Sequence, residues 1–213
     1  MYHTLVMGHS IYTRMRDYLH SGHDTHLCPD FKLSTTTSVE ICGRGSLTVT
    51  RLMANGCVLL NSIMCRVSKQ PDIIFLQVGS NDFPGTARNQ RDADAFSLQL
   101  LELASMLNDR YNAKRVVVGC ILPRFSARRS RRGFSPLEVR QYSGWTQAVN
   151  TGLTEQSQKV PHITVWKHNA KFTFQESRRG LFSDDGVHLS TQGQYFLCKS
   201  IRGALIAACH SLQ

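Results

Sequence analysis

The sequence predicts an α/β protein, a parallel sheet with helices on both faces, and three observations carry that prediction. Five short runs rich in apolar and β-branched residues alternate with longer segments whose apolar residues recur at helical spacing. One run, Asp72-Ile-Ile-Phe-Leu-Gln-Val78, is nearly continuous in apolar residues, as a strand covered on both faces must be. The polar residues with chemical potential stand just after such runs, on the edge where open α/β sheets bind ligands. The 213 residues are enough for one full core, so a single domain over 1–213 is expected. Since nothing precedes the first strand, it reads as a domain of a longer chain.

Leu5-Val6-Met7 forms the first strand and stops at Gly8. Ser10 opens a helix with Ile11, Met15, Tyr18 and Leu19 on one face. A second strand is expected over 31–41, rich in Thr and Val, followed by the glycine-rich turn Cys42-Gly-Arg-Gly-Ser46. Residues 47–67 are helical in pattern, interrupted at Gly56. Strand three ends in Gly79-Ser80-Asn81-Asp82, and a helix follows over 92–110. Strand four spans 115–122 and is closed by Pro123. Ser135-Pro136, a cap and first-turn pair, starts a helix to about 156. Strand five is 162–167, and Ser190 caps the last helix after Asp184-Asp-Gly-Val-His188.

Composition narrows the function. No apolar run approaches the ~20 residues of a membrane helix, and no secretory leader is seen. The seven cysteines are odd in number and contain no C-x-x-C pair, which fits reduced thiols and an intracellular, cytoplasmic setting. His20, His23, His26 and Cys28 lie on a helix end and loop broken by Gly22, not on one face, so no metal is expected. A net charge of +10 attracts phosphates or anionic surfaces. It is concentrated at Arg124, Arg128, Arg129, Arg131 and Arg132, a candidate contact for nucleic acid or anionic lipid, against the commoner meaning of a solvated loop.

The remaining residues converge. With strand order 2-1-3-4-5, strands one and three flank the crevice where strand order reverses. Ser10 follows strand one, Gly45-Ser46 follows strand two, Asn81 follows strand three, and Asp185 and His188 follow strand five. A serine hydroxyl becomes a nucleophile when a base takes its proton, and histidine is suited to the task near neutrality. Asp185, three residues before His188, can fix the imidazole tautomer; Asp184 has the poorer spacing. The N–H groups of Ser10, Gly45 or Ser46 and the Asn81 amide are candidate donors to an oxyanion.

The set GHS (8–10), a glycine turn (43–46), GSND (79–82) and DGVH (185–188) resembles the SGNH, or GDSL-type, hydrolases, in order and over nearly the whole chain. The resemblance implies a three-layer, flavodoxin-like fold and hydrolysis of lipid or other acyl esters without cofactor or metal. It makes Ser10 the nucleophile, His188 and Asp185 the rest of a triad, and Asn81 with Gly45-Ser46 the oxyanion donors. Two departures stand out: His9 replaces the family's aspartate before the serine, and Ser46 stands near the donor glycine. VGSND, the LPR after strand four and DGVHLS followed by Gln-Gly resemble the branch encoded by invertebrate transposable elements. The alternative to an esterase is a catalytically idle module of the same fold that binds RNA or a protein.

Overall fold

In a computed structural model, the described residues are 1–22, 28–33, 35–83, 85, 90–128, 134–168 and 171–213. Five parallel strands, β1 (Tyr2–Gly8), β2 (Thr37–Gly43), β3 (Ile73–Gln77), β4 (Arg115–Gly119) and β5 (Ile163–Trp166), form one sheet in the order β2-β1-β3-β4-β5. This is the flavodoxin-like order, with β1 and β3 adjacent at the reversal point. The helices are α1 (Ser10–His20), α2 (Val49–Met53), α3 (Val58–Met64), α4 (Gln90–Tyr111), α5 (Pro136–Ser157) and α6 (Thr191–His210).

Strand alternation sorts the core into two layers. Leu5, Met7, Ile74, Leu76, Val116 and Val118 pack under α2–α5. Val6, Ile73, Phe75 and Val117 point the other way, against α1 and α6. Because successive residues of all three central strands are buried, their sequences read as unbroken apolar runs rather than as alternation. Close approach sets the placement of α1: a Cβ on Gly43 would lie 2.1 Å from the Thr13 amide nitrogen. Gly43 is the register partner of Gly8, so the first turns of α1 sit directly over the ends of β1 and β2.

Two expected elements shift. The second strand is Thr37–Gly43 rather than 31–41, because Phe31 and Lys32 take left-handed backbone (φ 54° and 55°) in a turn closed by Phe31 N–H donating to the Cys28 carbonyl at 2.8 Å. The 47–67 helix divides into α2 and α3 around Asn55, Gly56 and Cys57, all at positive φ. The α5 start is the expected one: the Ser135 hydroxyl accepts from the Glu138 amide while the Glu138 carboxylate accepts from the Ser135 amide. Among the described residues no helix is long and apolar enough to cross a membrane, and no cluster suited to a metal ion is present. His23 and His26 lie outside the described residues.

Candidate active site

Ser10 is the first residue of α1, and the cap position belongs to His9. The hydroxyl is therefore not spent on the helix end, the commonest use of a serine there. It lies instead 2.9 Å from His188 Nε2. His188 Nδ1 is 2.6 Å from Asp185 Oδ2, so the three side chains form one continuous relay. With Asp185 ionised, Nδ1 carries the proton and Nε2 is left as the acceptor facing the Ser10 hydroxyl.

The loop after the last strand is built to hold that relay. Burial tends to raise the Asp185 pKa, but hydrogen bonds from the His188 ring, the His188 and Val187 amides and the Ser183 hydroxyl outweigh it and hold the carboxyl well below the usual range. The adjacent Asp184 is exposed. Gly186 has φ +71°, and an added Cβ would fall 2.0 Å from the Phe125 carbonyl oxygen. That approach lets Phe125 N–H donate to the Gly186 carbonyl at 2.9 Å, pinning the loop to the segment after β4. Arg179, only 3% exposed, donates to the carbonyls of Phe182, Ser183 and Asp184 from below. Sequence reasoning passed over Arg179, which stands in the polar stretch Glu176-Ser-Arg-Arg-Gly180 and carries no local signal of burial.

The expected oxyanion donors gather at the ends of β1, β2 and β3. The turn after β2 begins with Arg44 N–H donating to the Gly8 carbonyl at 3.0 Å, which sets Gly45 and Ser46 beside the end of β1. Ser46 holds φ +54°, so a serine occupies the left-handed position that glycine fills without strain. Asn81 Nδ2 donates to the Leu47 carbonyl at 3.2 Å, tying the end of β3 to the same turn. Asp82 accepts from the Val49 amide at 3.0 Å, and burial raises its carboxyl to about 6 despite hydrogen bonds from the Val49 and Thr50 amides.

His9 braces the site in place of a carboxylate. It is buried, with Nε2 2.9 Å from the Ser80 hydroxyl, joining the ends of β1 and β3. Burial, then the charges of Arg124 and His188, push its pKa down to about 3, so the ring is neutral. Arg124 is the clearest correction to the sequence analysis. It is 9% exposed and bonded to Asn81 and Ser80, inside the site rather than on a basic surface, because the buried segment after β4 turns its side chain toward the rings of Phe134 and Tyr142. Arg128 is exposed, and Arg129, Arg131 and Arg132 lie outside the described residues.

A separate cavity of about 490 Å³ lies past the ends of β4 and β5, lined among others by Cys120, Leu122, Asn150, Lys167, His168 and Phe172. Neither Ser10 nor His188 is among its walls. His168 is held there by Gln77 Oε1 at 3.0 Å and the Ser200 hydroxyl at 3.1 Å, and burial lowers its pKa to about 3.

A model of the GDSL-like lipase/acylhydrolase family matches residues 15–201, a span that starts just after Ser10 and takes in Asn81, Asp185 and His188. Solved structures share the fold. A carbohydrate acetylesterase family member from Sinorhizobium meliloti is 15% identical with TM-score 0.66, over 99% of this chain and 100% of that one. A GDSL-like lipase from Bacteroides thetaiotaomicron is 19% identical with TM-score 0.63, over 97% and 88%. A carbohydrate esterase family 3 protein from Talaromyces cellulolyticus is 18% identical with TM-score 0.61, over the whole of both chains. No curated protein matches the sequence.

Proposed function

The chain belongs to the GDSL-like lipase/acylhydrolase family, and on that premise we propose that it is a serine esterase acting on carboxylic esters through Ser10, His188 and Asp185. The observation that carries this reading is the unbroken relay of 2.9 and 2.6 Å from the Ser10 hydroxyl to the Asp185 carboxylate. Ser10 Oγ attacks the ester carbonyl carbon while His188 Nε2 takes its proton. Asp185 keeps Nδ1 protonated and stabilises the imidazolium that forms. The carbonyl oxygen becomes an oxyanion, which accepts hydrogen bonds from the Ser10 amide, the Gly45-Ser46 turn and Asn81 Nδ2. Its negative charge also lies at the positive end of the α1 dipole.

Collapse of the tetrahedral intermediate breaks the bond to the alcohol oxygen, and His188 returns the proton to the departing alkoxide. Water, deprotonated by His188, then attacks the Ser10 acyl ester, releasing the carboxylic acid and restoring the serine. No step calls for a metal or an organic cofactor. The substrate is a small-molecule or lipid ester, and the acetylesterase and lipase names of the structural neighbours make acetyl and longer acyl esters the first to try.

The test is hydrolysis of p-nitrophenyl acetate, butyrate and octanoate by the purified chain and by Ser10→Ala. Turnover that falls by several orders of magnitude in the variant supports the assignment. A Ser10→Ala protein as active as the parent, or a folded parent with no turnover on any ester, refutes it.

A further inference from the structure

Arg124 is a cation in an unusual place. Its Nη2 donates to Asn81 Oδ1 at 2.8 Å and to the Ser80 hydroxyl at 3.3 Å. The guanidinium carbon lies 5.1 Å from the ring centroid of Phe134 and 5.1 Å from that of Tyr142. Among the described residues no carboxylate lies within ion-pairing distance of it. A guanidinium drawn out of water without a counter-charge is offset only in part by ring faces and neutral oxygens. The feature this arrangement controls is the orientation of one side-chain amide.

We propose that Arg124 is a positioning residue for ester hydrolysis, locking the Asn81 amide so that its N–H side faces the oxyanion; this rests on the esterase reading above. An asparagine amide has two orientations of nearly equal shape, and its partners decide between them. Here Oδ1 meets a guanidinium N–H, a group that donates and never accepts, and Nδ2 meets the Leu47 carbonyl at 3.2 Å. Turning the amide over would set its NH2 against the guanidinium and its oxygen against the carbonyl, two repulsive contacts in place of two bonds. Nδ2 has a second hydrogen, and that one is available to the oxyanion. The cationic bond to Oδ1 also polarises the amide and strengthens its N–H groups as donors. Lysine would supply the charge without the planar group that reaches Asn81 and Ser80 from a single nitrogen while lying against two rings.

The experiment compares kcat and KM for the parent chain, Arg124→Gln, Arg124→Lys, Asn81→Ala and Arg124→Gln/Asn81→Ala, with thermal melting to establish that each is folded. For Arg124→Gln, kcat is expected to fall between about tenfold and the roughly 10²–10³-fold that removing a whole oxyanion donor costs, with KM within about threefold. Lysine restores part of the loss. Because Arg124 acts through Asn81, its replacement in the Asn81→Ala background changes kcat by less than about threefold.

Additive losses in the double variant, or a rise in KM with kcat unchanged, overturn the inference. The Asn81 side-chain amide signals in NMR give a readout independent of turnover, and they also decide the case where a variant unfolds at assay temperature. Nδ2 protons whose nuclear Overhauser contacts in the parent chain at low temperature run to the Leu47 side alone indicate a locked amide, and contacts to the Arg124 side as well overturn it. A parent chain that turns over no ester, with a locked amide, defeats the esterase reading while leaving the lock intact.

Discussion

Replacing Gly186 by alanine tests how the relay is held. The left-handed backbone at φ +71° costs a residue with a Cβ about 1–2 kcal/mol. The added methyl would also sit 2.0 Å from the Phe125 carbonyl oxygen, where real contacts stop near 3.0 Å, so loop and segment must part by about 1 Å. Overpacking of that kind costs a further ~1–3 kcal/mol. Together these come to about 2–5 kcal/mol, which lowers Tm by roughly 4–20 °C in a chain of this size. His188 is two residues from Gly186, and a 1 Å displacement stretches the 2.9 Å contact with Ser10 beyond hydrogen-bonding range. Such a misplacement is expected to lower kcat by about 10²-fold. The assay is p-nitrophenyl ester hydrolysis with a melting curve, and Gly180→Ala is the control, because a Cβ there meets nothing within 4 Å. A Gly186→Ala protein with kcat within threefold of the parent, or a Gly180→Ala protein equally impaired, would refute the reasoning.

Asp185→Asn should keep the fold and lower kcat by about 10³–10⁴, since an amide donating to Nδ1 leaves Nε2 protonated and unable to receive the serine proton; steady-state kinetics with a circular dichroism spectrum decides it. The depressed Asp185 pKa contributes stability above its ordinary value near 4, which is lost as pH falls toward the native value, so the melting difference between parent and variant shrinks in acid. Asp82 has the opposite sign. Its pKa is raised to about 6, so between about pH 4 and 6 the native state holds more proton than the unfolded chain and stability falls as pH rises. Asp82→Asn removes that contribution, and urea midpoints at pH 4.5 and 7 that shift in parallel for both proteins would contradict it. Arg179→Met strips donors from three loop carbonyls at about 1–3 kcal/mol for each one left buried. It should lower both Tm and kcat; an unchanged kcat with a lowered Tm would mean that the loop keeps its shape without the clamp.

The meeting of Ser10, His188 and Asp185 was legible because Ser10 follows a strand end while Asp185 and His188 form a short polar block before the last helix, and a parallel sheet brings its strand ends and the starts of its helices to one edge. The sheet order was legible for a related reason: three central strands buried on both faces leave few arrangements for five strands and their crossovers. Arg124 was misread because the charge run hid a boundary. Residues 120–125 stay buried beyond the end of β4 and carry Arg124 inward with them, whereas Arg128 has turned out to solvent, and composition treats both alike. The early start given to the second strand came from weighing Thr and Val content over the turn at Phe31 and Lys32, whose left-handed backbone has no residue signature there. Gly186 went unnoticed as a support because its role depends on the Phe125 carbonyl, distant in sequence, and Arg179 because the carbonyls it serves, three to five residues on, turn back toward it only in the folded loop.

The Ser10–His188 contact joins positions 178 residues apart, and the hydroxyl of Tyr2 donates to the Leu212 carbonyl across 210. On the proposed mechanism Ser10 is made before its partners and stays inert until the last crossover has been made and the loop before α6 has closed on it. Any truncation, permutation or stalled product lacking the final loop would be a chemically silent polypeptide, however well its first strands had paired. Under that mechanism the rate of ester cleavage would gauge how many molecules have completed their topology. Recovery of turnover after dilution from denaturant should lag behind recovery of helical signal.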